Sequence, residues 1–133
     1  MTGVRQALLV VALAALSPLA NAGNTKLAGN PDNGEAIYAR CAACHALAYD
    51  RTGPRHCGLF GRRAGSVQGF AYSPAMQRSK IVWNTETLDR FLASPLTYVP
   101  GTAMGYAGVT DAKERADLIA YLKRANESSL CRK

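Results

Sequence analysis

Residues 41–45 read Cys41-Ala42-Ala43-Cys44-His45. On a helix, two thiols three residues apart lie on one face, about one turn apart. That separation lets both sulfurs bond the two vinyl groups of one haem and puts His45 beneath the iron as an axial ligand. C-x-x-C-H is the attachment motif for c-type haem. The shorter C-x-x-C also serves in thioredoxin-type redox pairs and as half of a zinc site. A structural zinc site needs four ligands, usually from a second closely spaced pair. The remaining candidates, His56, Cys57 and Cys131, form no such pair. A thioredoxin-type pair would follow a strand in an alternating strand–helix pattern, whereas Gly34–Cys44 reads as helix. The motif favours haem attachment over disulfide exchange and zinc, the two readings that remain beside it.

The 133 residues leave room for one domain. Met1–Ala22 has the pattern of a secretory signal peptide: Arg5 in the charged region, an apolar run over Ala7–Leu16, and Ala20-Asn21-Ala22 as cleavage site. The apolar run is too short to span a bilayer as a mature helix. The mature domain, 23–133, would start at Gly23 and reach the periplasm, where covalent haem attachment and disulfides are both at home. So small a chain has a thin core, and a central haem would supply much of the missing apolar surface. The chain carries 16 basic and 9 acidic residues. Loss of Arg5 leaves a mature charge of +6, which favours acidic protein partners or an anionic surface. The basic residues are scattered and no nucleic-acid motif is present, so nucleic acid is not an expected partner. A soluble monomer is expected.

Along the mature chain the pattern is helical, with nothing that reads as sheet. Asp32 is the expected N-cap of the first helix, with Glu35 in capping-box spacing. Ile37, Tyr38 and Cys41 recur at helical spacing, which predicts that the first helix delivers the cysteines and packs Tyr38 in the core. Ala46–Gly69 reads as a long loop. Ser73-Pro74 opens a short helical turn through Ser79. Asn84 or Thr85 caps a helix over Glu86–Ala93 that buries Leu88, Phe91 and Leu92 and is stopped by Pro95. Leu96–Met104 reads as extended. Asp111 caps a last helix to about Asn126, with Glu114 in capping-box position and Leu118, Ile119, Tyr121, Leu122 and Ala125 in one stripe.

These segments bring a resemblance into view. The matching residues are Cys41–His45, Thr52-Gly53-Pro54, Gly58-Leu-Phe-Gly-Arg62, Gly69-Phe70-Ala71-Tyr72, Trp83 and Thr87-Leu88. They continue through Pro100-Gly101-Thr102-Ala103-Met104 and Arg115-Ala-Asp-Leu-Ile-Ala-Tyr-Leu122. In this order and spacing the chain resembles a class I cytochrome c, nearer the mitochondrial type and its small bacterial counterparts. The resemblance implies an all-α fold of three main helices plus short turns wrapped round one covalently bound haem c with its iron. It implies Met104 as the sixth ligand, opposite His45. The chemistry agrees, because a thioether favours the ferrous state and raises the reduction potential. Met76 is the rival thioether, and His56 a weaker rival on the His45 side. It further implies that the Pro54 carbonyl accepts the ring N–H of His45. Arg62, Tyr72 and Trp83 would meet the haem propionates, and Thr102 would bond near Met104 or a propionate.

The sequence also departs from that family. Phe91 stands where mitochondrial relatives place a tyrosine and Met76 where they usually have a polar amide. A drier Met104 side and a raised potential are expected. Tyr106 stands at the site of an aromatic that shields the haem edge. Ala103 replaces a docking lysine and Thr110-Asp111 interrupts a lysine run, which shifts docking toward Arg40, Arg63, Arg78, Lys80 and Lys113. Cys57 and Cys131 are an even pair left over in an exported protein, which suggests a disulfide.

The function expected is a soluble, exported carrier of single electrons between redox proteins with acidic docking surfaces, and not an enzyme. A haem peroxidase or gas sensor with a displaceable methionine is the alternative from the enzyme class, since it needs an open sixth position. An assembly factor that keeps haem as a structural staple is a second.

Overall fold

The computed structural model describes residues 28–132. The expected leader, Met1–Ala22, and the start at Gly23 lie outside the described residues. Five helices follow in order: α1 over Pro31–Tyr38, α2 over Pro74–Arg78, α3 over Thr85–Ala93, α4 over Pro95–Tyr98 and α5 over Ala112–Asn126. Three are long and two are single turns, and among the described residues the β content is one bridge between Arg63 and Val82. The fold is the expected small all-α one. Among the described residues no helix is long and apolar enough to cross a membrane.

The start of α1 differs from the expected one. Asn30 is the N-cap, its side-chain oxygen accepting from the N–H groups of Asp32 at 2.9 Å and Asn33 at 3.4 Å, with Pro31 at the first helical position. Asp32 and Glu35 turn outward to Arg124 of α5, at 2.5 and 3.3 Å. A cation distant in sequence has taken both side chains that the local pattern assigned to a capping box.

The end of α1 corrects the predicted helix as well. It stops at Tyr38, and Cys41 and Cys44 lie in the turns that follow. There the N–H of Arg40 bonds the Ile37 carbonyl at 3.0 Å, that of Cys41 the Tyr38 carbonyl at 2.8 Å, and that of Cys44 the Cys41 carbonyl at 3.1 Å. The His45 N–H also reaches the Cys41 carbonyl at 2.9 Å, four residues back, so these turns mix bonds three and four residues long and continue the path of α1 without being a regular helix.

Helices α1 and α5 pack backbone to backbone. A methyl group on Gly34 would sit 2.0 Å from the Asp117 carbonyl oxygen and 2.7 Å from Tyr121 Cβ. Only a residue without Cβ allows that approach. Asp117 is buried at the same contact; its Oδ1 accepts from the Asn30 N–H at 2.6 Å and from Lys113, and its Oδ2 from the Asn33 amide at 3.5 Å. One carboxylate of α5 thereby ties down the start of α1. Beneath it Ile37 and Tyr38 meet Leu118, Ile119 and Leu122 in one buried cluster.

Helix α3 begins as expected. Asn84 Oδ1 accepts from the Thr87 N–H and Thr87 Oγ1 from the Asn84 N–H, each at 2.9 Å, closing a capping box. Its buried face is Leu88, Phe91 and Leu92. The predicted extended stretch Leu96–Met104 is interrupted at its start by α4. Pro95 fits the first turn of a helix, and the N–H groups of Tyr98 and Val99 bond the carbonyls of Ser94 and Pro95 at 3.0 and 2.9 Å. Helix α5 is capped by Asp111, which accepts from the Glu114 N–H at 2.8 Å. The Glu114 carboxylate does not close a capping box; it pairs with both Arg40 guanidinium nitrogens at 2.7 and 2.8 Å.

Candidate haem site

The loops between α1 and α2 and between α4 and α5 close over a cavity of about 460 Å³. All nine residues singled out from the sequence line it: Cys41, Cys44, His45, Pro54, Arg62, Tyr72, Trp83, Thr102 and Met104. Met76, Leu88, Phe91, Leu92, Leu118 and Leu122 supply much of the apolar wall. Residues from both ends of the chain and from the middle loops meet here, which local sequence alone does not enforce.

Cys41 and Cys44 carry free sulfurs, the first half-buried and the second exposed, so the attachment turn lies at the surface. His45 behind them is buried. Its Nδ1 donates to the Pro54 carbonyl at 2.8 Å, which leaves Nε2 with its lone pair for a metal. Burial holds its pKa below the ordinary value, opposed in part by the Pro54 bond, so the ring is neutral at physiological pH. Gly53 comes so near that a Cβ there would lie 2.3 Å from His45 Cε1 and 2.6 Å from each ring nitrogen.

A second histidine belongs to this wall. The His56 ring stacks on His45 with centroids 4.4 Å apart and planes 20° apart. Its Nδ1 shares a hydrogen bond of 3.1 Å with the Tyr38 hydroxyl. Burial pushes its pKa down to about 3, and coupling to His45 and to the Arg62 guanidinium acts the same way. Neither the Gly53 approach nor the His56 stack was read from the sequence. The Thr52-Gly53-Pro54 motif marked the place, but which ring it would press against is a tertiary fact.

Met104 is half-buried, and its N–H donates to Thr102 Oγ1 at 3.3 Å. Phe91 packs against Trp83 with ring centroids 5.0 Å apart. Arg62 donates to the carbonyls of Cys57 at 3.0 Å and Arg55 at 2.9 Å, and burial is the largest influence on its pKa, lowering it. It meets no carboxylate among the described residues. The Tyr72 hydroxyl accepts from the Val67 N–H at 3.4 Å. Cys57 and Cys131 are joined as a disulfide with Cα atoms 5.0 Å apart, beside the same loop.

The donor set and the wall fit a flat, mostly apolar group with acidic substituents. Two thiols and one oriented imidazole face an apolar cavity that also holds a thioether, and a half-buried guanidinium lacks an anion. A buried cation without a counter-charge is costly, and a carboxylate entering with the group would relieve it.

This combination defines a protein built round a covalently tethered haem. The family profile described as "Cytochrome c" matches residues 31–126. Cytochrome c of Gibberella zeae is 47% identical over 87 residues, covering 63% of this chain and 82% of its own. Cytochrome c2 of Blastochloris viridis is 41% identical over 97 residues, 71% of this chain and 76% of its own. Among solved structures, cytochrome cH from Methylobacterium extorquens superposes with a TM-score of 0.70 at 39% identity, covering 72% of this chain and 99% of that one. The chain belongs to the cytochrome c family, in its class I form, and is a haem-binding electron carrier whose cofactor is covalently attached haem c with its iron.

Proposed function

We propose that this protein is an exported, monomeric electron shuttle of the periplasm, with His45 and Met104 as the two axial ligands of its single haem. The observation that carries the reading is the convergence of both ligand candidates and both cysteines on one apolar cavity. The haem iron supplies the reversible gain and loss of one electron.

The chain's own residues do the rest. Cys41 and Cys44 tether the group by thioether bonds. His45 is presented neutral and oriented, through the proton it shares with Pro54. Met104 offers a soft thioether that stabilises the ferrous state. Leu88, Phe91, Leu118 and Leu122 keep water away, so charge change at the centre meets little solvent rearrangement. Arg62, Tyr72 and Trp83, all in the cavity lining, would hold the propionates. Were His45 and Met104 both to hold the iron, no open position would be left for a substrate, which would make the protein a carrier and not a peroxidase or gas sensor.

Docking would fall to the exposed attachment turn and to exposed positive charges on the surface. Arg40 and Lys113 are bound up with Glu114 and Asp117, and Arg63 donates to the carbonyls of Gln77 and Ser79. Arg78 and Lys80 meet no acidic partner among the described residues. Such charges steer short-lived encounters with acidic redox partners more than they hold them. Exposing the reduced protein to carbon monoxide at neutral pH tests the reading. The spectrum is expected to stay as it was, and rapid formation of a carbonyl complex would contradict it.

A further inference from the structure

We infer that His56 is a positioning residue, which sets the plane of the His45 imidazole and is itself held by the Tyr38 hydroxyl. The inference rests on His45 being an axial ligand and goes beyond it in naming what orients that ligand.

Rotation of an imidazole about its bond to a metal is a soft motion, so its neighbours decide the angle. Here the neighbours come from one short segment. Pro54 takes the Nδ1 proton at 2.8 Å. Gly53 closes on the ring face over Cε1, where a Cβ would lie 2.3 Å from Cε1 and 2.6 Å from both ring nitrogens and so would clash. His56 covers the ring itself, nearly parallel at 20°. The segment is in turn fastened to the attachment turn and its sequel. The Gly53 N–H bonds the Cys44 carbonyl at 2.7 Å, and that of His56 reaches the Ala46 carbonyl at 3.1 Å.

An aliphatic side chain at position 56 would fill the same wall without needing a partner, because burying a polar ring costs free energy unless it is hydrogen-bonded. The fold supplies that partner from α1. Tyr38 shares its hydroxyl with His56 Nδ1 at 3.1 Å and meets the ring edge-on, with centroids 5.7 Å apart. Tyr38 is itself braced against Tyr121 of α5, with centroids 5.2 Å apart. A chain of contacts thus runs from the α1–α5 crossing through Tyr38 and His56 to the axial ring. A flat ring lying parallel to another restricts its rotation, whereas a branched aliphatic group leaves it freer.

The plane of an axial imidazole decides how unpaired spin spreads over a ferric haem, and the paramagnetically shifted haem methyl proton resonances report it. Those shifts are to be measured on the ferric holoprotein and on His56→Leu, His56→Phe and Tyr38→Phe. His56→Leu is expected to change the order or spread of the methyl shifts. Tyr38→Phe should move them part of the way in the same sense, and His56→Phe, which keeps a flat ring, should restore most of the parent pattern. A parent pattern in His56→Leu, or a displacement in His56→Phe as large as in His56→Leu, would overturn the inference. Should His56→Leu yield no holoprotein, Tyr38→Phe decides: displaced shifts support the inference and unchanged ones overturn it. A parent protein without low-spin methyl shifts would instead overturn the His45/Met104 ligation itself, so the two failures are distinct.

Discussion

His45 donates its Nδ1 proton to the Pro54 carbonyl oxygen 2.8 Å away, while the intervening loop brings Gly53 against the same ring. One tripeptide, Thr52-Gly53-Pro54, therefore fixes both the tautomer and the position of the candidate ligand. A methyl group at position 53 would stand 2.3 Å from His45 Cε1, well inside van der Waals contact. Gly53→Ala is expected to push the imidazole aside, costing about 3 kcal/mol in stability through overpacking. Denaturant unfolding, with the oxidised spectrum recorded alongside, checks this. Parent-like stability with an unchanged spectrum would show that the ring has room to move.

Asp117 links pH to the α1–α5 crossing. The Asn30 N–H and then Lys113 hold its pKa below the ordinary aspartate range. A carboxylate with a lowered folded pKa contributes stability that is present above its unfolded pKa of about 4 and is lost as pH falls through the folded value. Asp117→Asn keeps an amide oxygen for the Asn30 N–H and removes only the charge. The variant is expected to be less stable than the parent at neutral pH, with the gap closing below about pH 4. Thermal unfolding across that range measures it, and a gap that stays constant with pH would refute the assignment.

Much of this molecule is legible in its sequence because the decisive signals are local. Cys41–His45 marks the attachment turn within five residues, and Asn84 and Asp111 cap α3 and α5 as their positions suggest. The misreadings have separate causes. Asp32 and Asn30 are both good caps; Pro31 at the first helical position makes Asn30 the cap, and the Asp32 carboxylate meets Arg124, 92 residues away. Helix α1 ends at Tyr38 in turns whose apolar pattern through Cys44 does not differ from that of a continuing helix. Four residues of α4 are too few to show a period. The stack of His56 on His45 joins side chains 11 positions apart through a loop without periodicity.

The Cys57–Cys131 bridge spans 74 residues and ties the tail beyond α5 to the loop that carries His56. Closing a loop of that length contributes about 4 kcal/mol in the chain-entropy account. Cys57→Ser is expected to lose stability of that order while keeping the haem spectrum. Alkylation of the unreduced holoprotein should find no free thiol, whereas two would show that the bridge does not form in solution.

Phe91 packs on Trp83 in the wall that also holds Met76 and Met104. Neither Phe91 nor Met76 can offer a strong hydrogen bond to the methionine sulfur or to water. Phe91→Tyr and Met76→Asn, made singly and together, are expected to lower the reduction potential, because polar groups in the cavity favour the more charged ferric state. Redox titration measures it, and an unmoved potential in the double variant would refute a dry Met104 side.

In the proposed ligation His45 and Met104 both bind the iron and leave no position open. The most direct measurement is the absorption spectrum of the oxidised protein before and after Met104→Ala, followed at the weak red sulfur-to-iron band. The parent is expected to show the band and a six-coordinate low-spin spectrum, and Met104→Ala to lose the band while its reduced form gains carbon monoxide binding. A parent without the band, or a Met104→Ala variant that retains it, would rule out Met104 as a ligand.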